Sequence, residues 1–268
     1  MTVSVELDRI AEYIREIAAV EIMPRFRKLA KSDIKHKGDW GDFATTADLE
    51  AERALGVWLK DRLPGSRVVG EEAAAKSPEL LDLIAGETPV WIVDPLDGTH
   101  NFADGIEHFC VILALTQAGE TRAAWIHDPI ADRTVVAERG GGTWEAGKQL
   151  RVAAPAAIAE MRGAIYAKAG RPGVSQNLES VRGKFAATVN RRCAGCEYLS
   201  LARGESHFTL FSRLFPWDHA GGALIHAEAG GYNACWDGTP YRPTRHAGGI
   251  LLAPDAPSWR AIAALTLA

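Results

Sequence analysis

Val90-Trp91-Ile92-Val93 is an apolar run that passes, with no polar spacer, into Asp94-Pro95-Leu96-Asp97-Gly98-Thr99. No other feature constrains the chain as tightly. An apolar run of this length reads as a buried strand, and its end then delivers two carboxylates to the rim of a sheet. Pro95 fixes φ and removes a donor, which stiffens the turn. Gly98 lets the backbone approach a ligand closely. Thr99 adds a hydroxyl, and the N–H groups of a following helix start can hold an anion. Two aspartates, a carbonyl and a hydroxyl supply the oxygen donors that a hard cation such as Mg²⁺ requires. The competing reading is a structural Asx-turn, in which aspartate merely caps a helix.

Two further segments weigh against mere capping. Arg67-Val68-Val69 is a second short strand, followed by Gly70-Glu71-Glu72, and Trp217-Asp218 opens an apolar helix rich in small residues. Carboxylates gathered at strand ends repel one another, and a bound cation relieves that repulsion.

The remaining pattern predicts a mixture of helices and strands. Leu7, Ile10, Ala11, Ile14, Ile17, Ala18 and Ile22 recur at helical spacing, predicting an amphipathic helix within 5–30. Residues 31–43 are polar and read as an exposed loop. A second helix begins between Thr45 and Asp48 and stops at Pro64-Gly65. Phe109 to Thr116 reads as a strand buried on both faces. Trp125-Ile126, Arg133 to Ala137 and a hairpin around Thr143-Trp144-Glu145 continue an antiparallel meander. Beyond Arg151 strands at 163–167 and 186–189 mix with helices at 198–203 and 217–229, and 256–268 forms a last helix. The division predicted is 1–148, an α+β part with most of the carboxylates, and 149–268, an α/β part, in one compact unit.

Composition narrows the classes of function. The 268 residues are 47% hydrophobic and 24% charged with a formal net charge of −4, which argues against nucleic acid as a ligand. The longest apolar run, Phe109 to Leu115, is far below membrane-spanning length. The N-terminus shows no basic and apolar leader pattern. Four cysteines suggest no disulfide framework, so a cytoplasmic setting is expected. Cys193-Ala194-Gly195-Cys196 is a C-x-x-C read as ordinary packed thiols, with Cys110 and Cys235 standing alone. His219 and His226 read as packing or surface residues, and His100 follows Thr99 directly.

Together these segments resemble the inositol monophosphatase family of Mg²⁺-dependent, lithium-sensitive phosphatases, which share a fold with fructose-1,6-bisphosphatases. The resemblance rests on Asp42-Phe43-Ala44-Thr45-Thr46-Ala47-Asp48, Gly70-Glu71-Glu72, Trp91 to Phe102, Trp217-Asp218-His219-Ala220-Gly221-Gly222 and Glu228-Ala229-Gly230-Gly231. It implies an α/β layered αβαβα sandwich, a homodimer, and two to three Mg²⁺ per active site. By resemblance Glu71, Asp94 and the Leu96 carbonyl hold one ion. Asp94, Asp97 and Asp218 hold another. Glu71 and Thr99 orient and activate the attacking water, and Asp48 and Thr45 belong to a mobile-loop motif that also carries Lys37. Gly98 and Thr99 offer backbone N–H groups to the phosphate.

The resemblance implies hydrolysis of a small phosphorylated metabolite, inositol monophosphate or a related sugar or polyol phosphate. Arg192, Cys193, Ala194 and Phe211 fall where the substrate is read, together with Leu96, Asp97, Gly98, Thr99 and Asp218. Phe211 replaces a glutamate usual in the family, and Arg192-Cys193-Ala194 replaces a Gly-Ser/Thr-Ala stretch. Histidinol phosphate, fructose 1,6-bisphosphate and phosphoadenosine phosphate therefore stay as alternatives, as does a regulatory protein-binding role. A haloacid-dehalogenase-type site would need D-x-D after the first strand, which Asp94 and Asp97 do not form.

Overall fold

The structure is a computed structural model that describes residues 5–37, 42–169 and 171–267. α1 (Leu7–Ile17) continues into a π-helical turn, Ala18–Ile22, and a 3-10 turn, Met23–Arg25. β1 (Ile34–Lys37) and β2 (Asp42–Thr45) precede α2 (Thr46–Arg62). β3 (Arg67–Gly70), α3 (Glu71–Lys76), a 3-10 stretch at Pro78–Ala85, β4 (Val90–Asp97) and α4 (Thr99–Ala103) follow. An antiparallel run then comprises β5 (Cys110–Gln117), β6 (Glu120–Asp128), β7 (Arg133–Glu138), β8 (Gly142–Glu145) and β9 (Lys148–Gln149). The second half holds β10 (Arg162–Tyr166), α5 (Leu178–Arg182), β11 (Ala187–Val189), α6 (Ala194–Ala202) and β12 (Phe208–Phe211). It ends with α7 (Pro216–Glu228), β13 (Tyr232–Cys235), β14 (Ile250–Ala253) and α8 (Ala256–Thr266).

Strands β3 to β9 form one sheet in sequence order, and β11-β10-β12-β14-β13 form another. Apolar faces stack these into five layers. Ile10, Ile14 and Ile17 of α1 pack with Ala51, Leu55 and Leu59 of α2 against Trp91, Val93, Leu113 and Trp125 on one face of the larger sheet. Its other face, with Ile112, Ala124 and Ile126, meets Tyr198, Leu201, Leu224 and Ile225 of α6 and α7. Those helices also cover Phe211, Ile250 and Leu252 of the smaller sheet. The far face of that sheet packs Leu210 and Leu251 on Leu178, Trp259 and Ile262 of α5 and α8. The expected αβαβα sandwich is therefore the observed one. No helix among the described residues is long and apolar enough to cross a membrane.

The middle helical layer needs small residues to fit between two sheets. A Cβ on Gly222 of α7 would overlap the Tyr198 ring of α6, and one on Gly221 would crowd the Leu113 carbonyl of β5 at 3.1 Å. The predicted loop at 31–43 is corrected in part: Ile34–Lys37 pairs antiparallel with Asp42–Thr45. Polar strands at a two-stranded edge show no apolar alternation to read. The Lys37 side chain lies outside the described residues. We expect Gly222→Val to destabilise the fold by about 3 kcal/mol, the upper range of overpacking costs. Denaturant unfolding checks this, and an unchanged midpoint would refute the close packing of α6 on α7.

Candidate active site

Parallel pairing of β3 with β4 sets the geometry. Gly70 lies opposite Val93 in the ladder, so Glu71 and Asp94 leave neighbouring strands at the same level. β4 continues to Asp97 through a register shift between Asp94 and Asp97. The chain then turns at Gly98, whose φ of +89° is left-handed, and a Cβ there would meet the His108 carbonyl at 2.6 Å. Glycine is thus required by both conformation and space. Leu96 N–H donates to Asp94 Oδ1 at 3.1 Å, so the Asx contact exists within the cluster and does not replace it.

Apart from Asp94, which lies within β4, each acid also meets a helix start. Asp48 is the third residue of α2 and closes a capping box with Thr45: the Thr45 N–H and hydroxyl donate to Asp48 Oδ2 at 2.7 and 2.5 Å. Asp48 Oδ1 faces the Thr99 hydroxyl at 3.2 Å, and that hydroxyl also lies 3.1 Å from the Leu96 carbonyl. Glu71 and Glu72 occupy the first turn of α3, and Asp218 the first turn of α7. Asp97 accepts from the Gly195 N–H of α6 at 2.6 Å through Oδ2. A helix N-terminus carries partial positive charge, so each placement offsets part of the repulsion.

The offset is incomplete. Burial first, and then the charges of Glu71, Asp97, Asp218 and Asp48, hold the Asp94 carboxyl well above the usual carboxylate range. Burial pushes Asp97 up to about 6, against opposing hydrogen bonds from Gly195 and Cys193. Burial likewise raises Asp48 to about 7 despite the Thr45 hydrogen bonds, with Glu71 and Glu72 adding to the rise. An all-oxygen, buried, mutually repelling donor set fits a hard divalent cation such as Mg²⁺.

Two cavities meet at this cluster. One, of about 880 Å³, is lined by Glu71, Asp94, Thr99 and Trp217. The other, of about 800 Å³, is lined by Tyr166, Lys168, Arg171, Arg182, Ala194 and Phe211. Asp97, Asp218, Arg192 and Arg213 line both, which makes them halves of one cleft. The structure thus brings Glu71, Asp94, Asp97, Gly98, Thr99 and Asp218 together, with Arg192, Cys193, Ala194 and Phe211 on the adjoining wall. Asp48, Thr45 and Leu96 stand buried behind it. Trp91 is core and Trp217 lines the cleft, while His219 is buried between the Tyr198 hydroxyl at 2.9 Å and the Arg213 carbonyl at 2.9 Å.

Several site residues have no legible signal in the sequence. Glu52 of α2 accepts from the Glu72 and Ala73 N–H groups at 2.8 and 2.9 Å, capping α3 from another helix. A Cβ on Gly70 would overlap the Glu52 carboxylate, which explains the glycine before Glu71. Burial pushes Glu52 up to about 7. Lys168, Arg171 and Arg213 were also unread, although Arg213 lies only four residues before Trp217. Cys110 is corrected: it does not stand alone but lies 3.8 Å from Cys193, sulfur to sulfur.

Comparison with known proteins agrees with this geometry. Residues 5–267 match the profile of the inositol monophosphatase family. An inositol-1-monophosphatase of Caulobacter vibrioides is 35% identical over 217 residues, covering 77% of this chain and 80% of the relative. The Nus factor SuhB of Vibrio cholerae is 34% identical over 200 residues, 70% of each chain. Among solved structures, a Thermotoga maritima IMPase superposes with a TM-score of 0.83 at 23% identity, covering 97% of this chain and 95% of that one.

The raised carboxyls imply a pH dependence with a definite sign. Unfolded, Asp48 and Asp97 lose their protons near the ordinary value of 3.8; folded and metal-free, they hold them to about 7 and about 6. The folded state then binds more protons across that window, so stability falls as pH rises from about 4 through about 7. In chelator, the melting temperature should be higher near pH 5 than near pH 8. Mg²⁺ should raise it more near pH 8, where no protons need be displaced. Equal Mg²⁺ shifts at both values would contradict the electrostatic picture.

Proposed function

This chain belongs to the inositol monophosphatase family and is a phosphoric monoester hydrolase; we propose that it is Mg²⁺-dependent and acts on a small phosphorylated metabolite. One observation carries the reading: the convergence of Glu71, Asp94, Asp97 and Asp218 on one cleft beside the Thr99 hydroxyl. The substrate class is inositol monophosphate or a related sugar or polyol phosphate. Two to three Mg²⁺ per site, lithium sensitivity, a homodimer and a cytoplasmic location complete the proposal. Residues 1–148 carry most of the ion-holding groups, and 149–268 supply Asp218 and the pocket walls.

Glu71, Asp94, the Leu96 carbonyl, Asp97 and Asp218 would hold the ions. When bound, these lower the pKa of water and neutralise charge on the phosphoryl group and leaving oxygen. The protein's own groups supply the rest. Asp48 fixes the Thr99 hydroxyl through the 3.2 Å contact, leaving its lone pairs to orient the attacking water together with Glu71. Thr99 Oγ1 can take a proton from that water while passing its own to Asp48, whose carboxyl is held near neutrality. The left-handed Gly98 turn supports a role in which the backbone N–H groups of Gly98 and Thr99 would donate to the phosphate.

The adjoining wall favours a second substrate reading. Tyr166 and Phe211, stacked with centroids 5.0 Å apart, share the cavity with Lys168, Arg171 and Arg213. Arg192 is answered by Asp104 at 3.1 Å, and Arg182 donates to the Ile165 carbonyl. The cationic lining suits a substrate bearing a second anionic group, such as a bisphosphate, over a neutral polyol. It suits the amine of histidinol phosphate least.

Asp94→Asn should lower kcat at least about 100-fold with the fold retained, a loss at the top of the range for removing even an outer partner of a metal ligand. Wild-type turnover in that variant would remove the assignment. Phosphate release from a panel of inositol 1-phosphate, histidinol phosphate, fructose 1,6-bisphosphate and phosphoadenosine phosphate, with Mg²⁺ and with added Li⁺, ranks the substrates. A bisphosphate should show the highest kcat/KM, and Lys168→Ala should lower that value without changing it for a monophosphate. No release from any of them would favour the regulatory, protein-binding reading that the similarity to a Nus factor suggests.

A further inference from the structure

Three of the four cysteines converge beside Asp97. The β4–β5 ladder places Cys110 directly opposite Asp97. Cys193 is the N-cap of α6, where its sulfur accepts the Cys196 N–H at 3.2 Å, and Cys196 lies one turn along. Gly195 between them makes the approach possible, because a Cβ there would overlap Cys110 Sγ. The three sulfurs all lie within 4.8 Å of one another, with Cys110 and Cys193 at 3.8 Å. Asp97 Oδ2 stands 3.1 Å from Cys193 Sγ and 3.7 Å from Cys110 Sγ.

We propose that Cys110, Cys193 and Cys196 form a binding site for one thiophilic ion of the Zn²⁺, Cd²⁺ or Cu⁺ class, with Asp97 Oδ2 as its fourth ligand. A metal–sulfur bond of about 2.3 Å in tetrahedral geometry sets neighbouring sulfurs about 3.8 Å apart. The Cys110–Cys193 pair already stands at that separation, and Cys196 closes the triangle by turning its side chain at the start of α6. Soft sulfur donors select these ions over Mg²⁺. The α6 N-terminus supports the negative charge of thiolates. Cys193 lines the cavity of about 800 Å³, which gives the ion a way in. Each ligating thiol exchanges its S–H bond for a metal–sulfur bond and releases its proton to solvent. Occupancy draws Asp97 towards the sulfurs and away from the oxygen cluster, so the ion inhibits the phosphatase. Only this inhibitory half rests on the function proposed above.

The test titrates the full chain, kept reduced and supplied with Mg²⁺, with Cd²⁺ or Co²⁺. Sulfur-to-metal charge-transfer absorption reports thiolate ligation without needing a substrate. We expect it to saturate at one ion per chain and to be lost in Cys196→Ser and in Cys110→Ser. Cys196 is only partly buried, so its variant tests the site even if Cys110→Ser fails to fold. At the saturating ion concentration, wild-type phosphatase activity should fall at least tenfold and resist added Mg²⁺, while Cys196→Ser keeps its activity. Absence of the band in wild type, or an equal band in Cys196→Ser, overturns the site. A saturating band with unchanged activity overturns the inhibitory link through Asp97.

Discussion

The structure turns on carboxylates held together where they repel. Asp94 is 1% exposed, and the charges of Glu71, Asp97, Asp218 and Asp48 all act on it. No single element could assemble this group. Parallel pairing of β3 with β4 levels Glu71 with Asp94, the irregular end of β4 places Asp97, and α7 brings Asp218 across from the other half of the chain. The fold therefore stores a demand for positive charge, which a hard cation meets best.

Helix N-termini meet part of that demand. α2, α3 and α7 start at acids of the cluster, and the α6 N-terminus holds Asp97 from behind. The same logic explains Gly70 and Glu52. A carboxylate from α2 caps α3, and the glycine leaves it room. Structural capping and the candidate chemistry are thus not rival accounts of these residues. Asp48 both closes the capping box of α2 and fixes the Thr99 hydroxyl.

The second half of the cleft has different physics. Around Phe211 the wall is aromatic and cationic, with Tyr166, Lys168, Arg171 and Arg213 contributed by separate loops and strands. On the proposed function, a phosphate at the oxygen cluster would leave the remainder of a substrate facing this wall. Discrimination there depends on whether its charges find partners, since unpaired buried polar groups are costly. On the proposed function, the carboxylate cluster would set the reaction and this wall would set what undergoes it.

Short-range motifs were legible because their chemistry is local. A capping box spans Thr45 to Asp48, and a strand leading into Asp94-Pro95-Leu96-Asp97-Gly98-Thr99 announces itself by composition and spacing. These segments, with Gly70-Glu71-Glu72 and Trp217-Asp218, carried the family resemblance that implied the layered fold and named the candidate oxygen donors. Contacts across the fold were not legible. Glu52 caps α3 from 20 residues away, Cys110 joins Cys193 across 83, and the cations of the wall meet only once β10, β12 and α7 are in place. The polar pair β1–β2 escaped because it lacks apolar alternation. The sequence by itself determined which atoms can bind a cation, since residue identity and local turn geometry decide that. Tertiary structure alone decided which thiols and which positive charges share their neighbourhood, because strand register and helix docking, not sequence distance, bring them together.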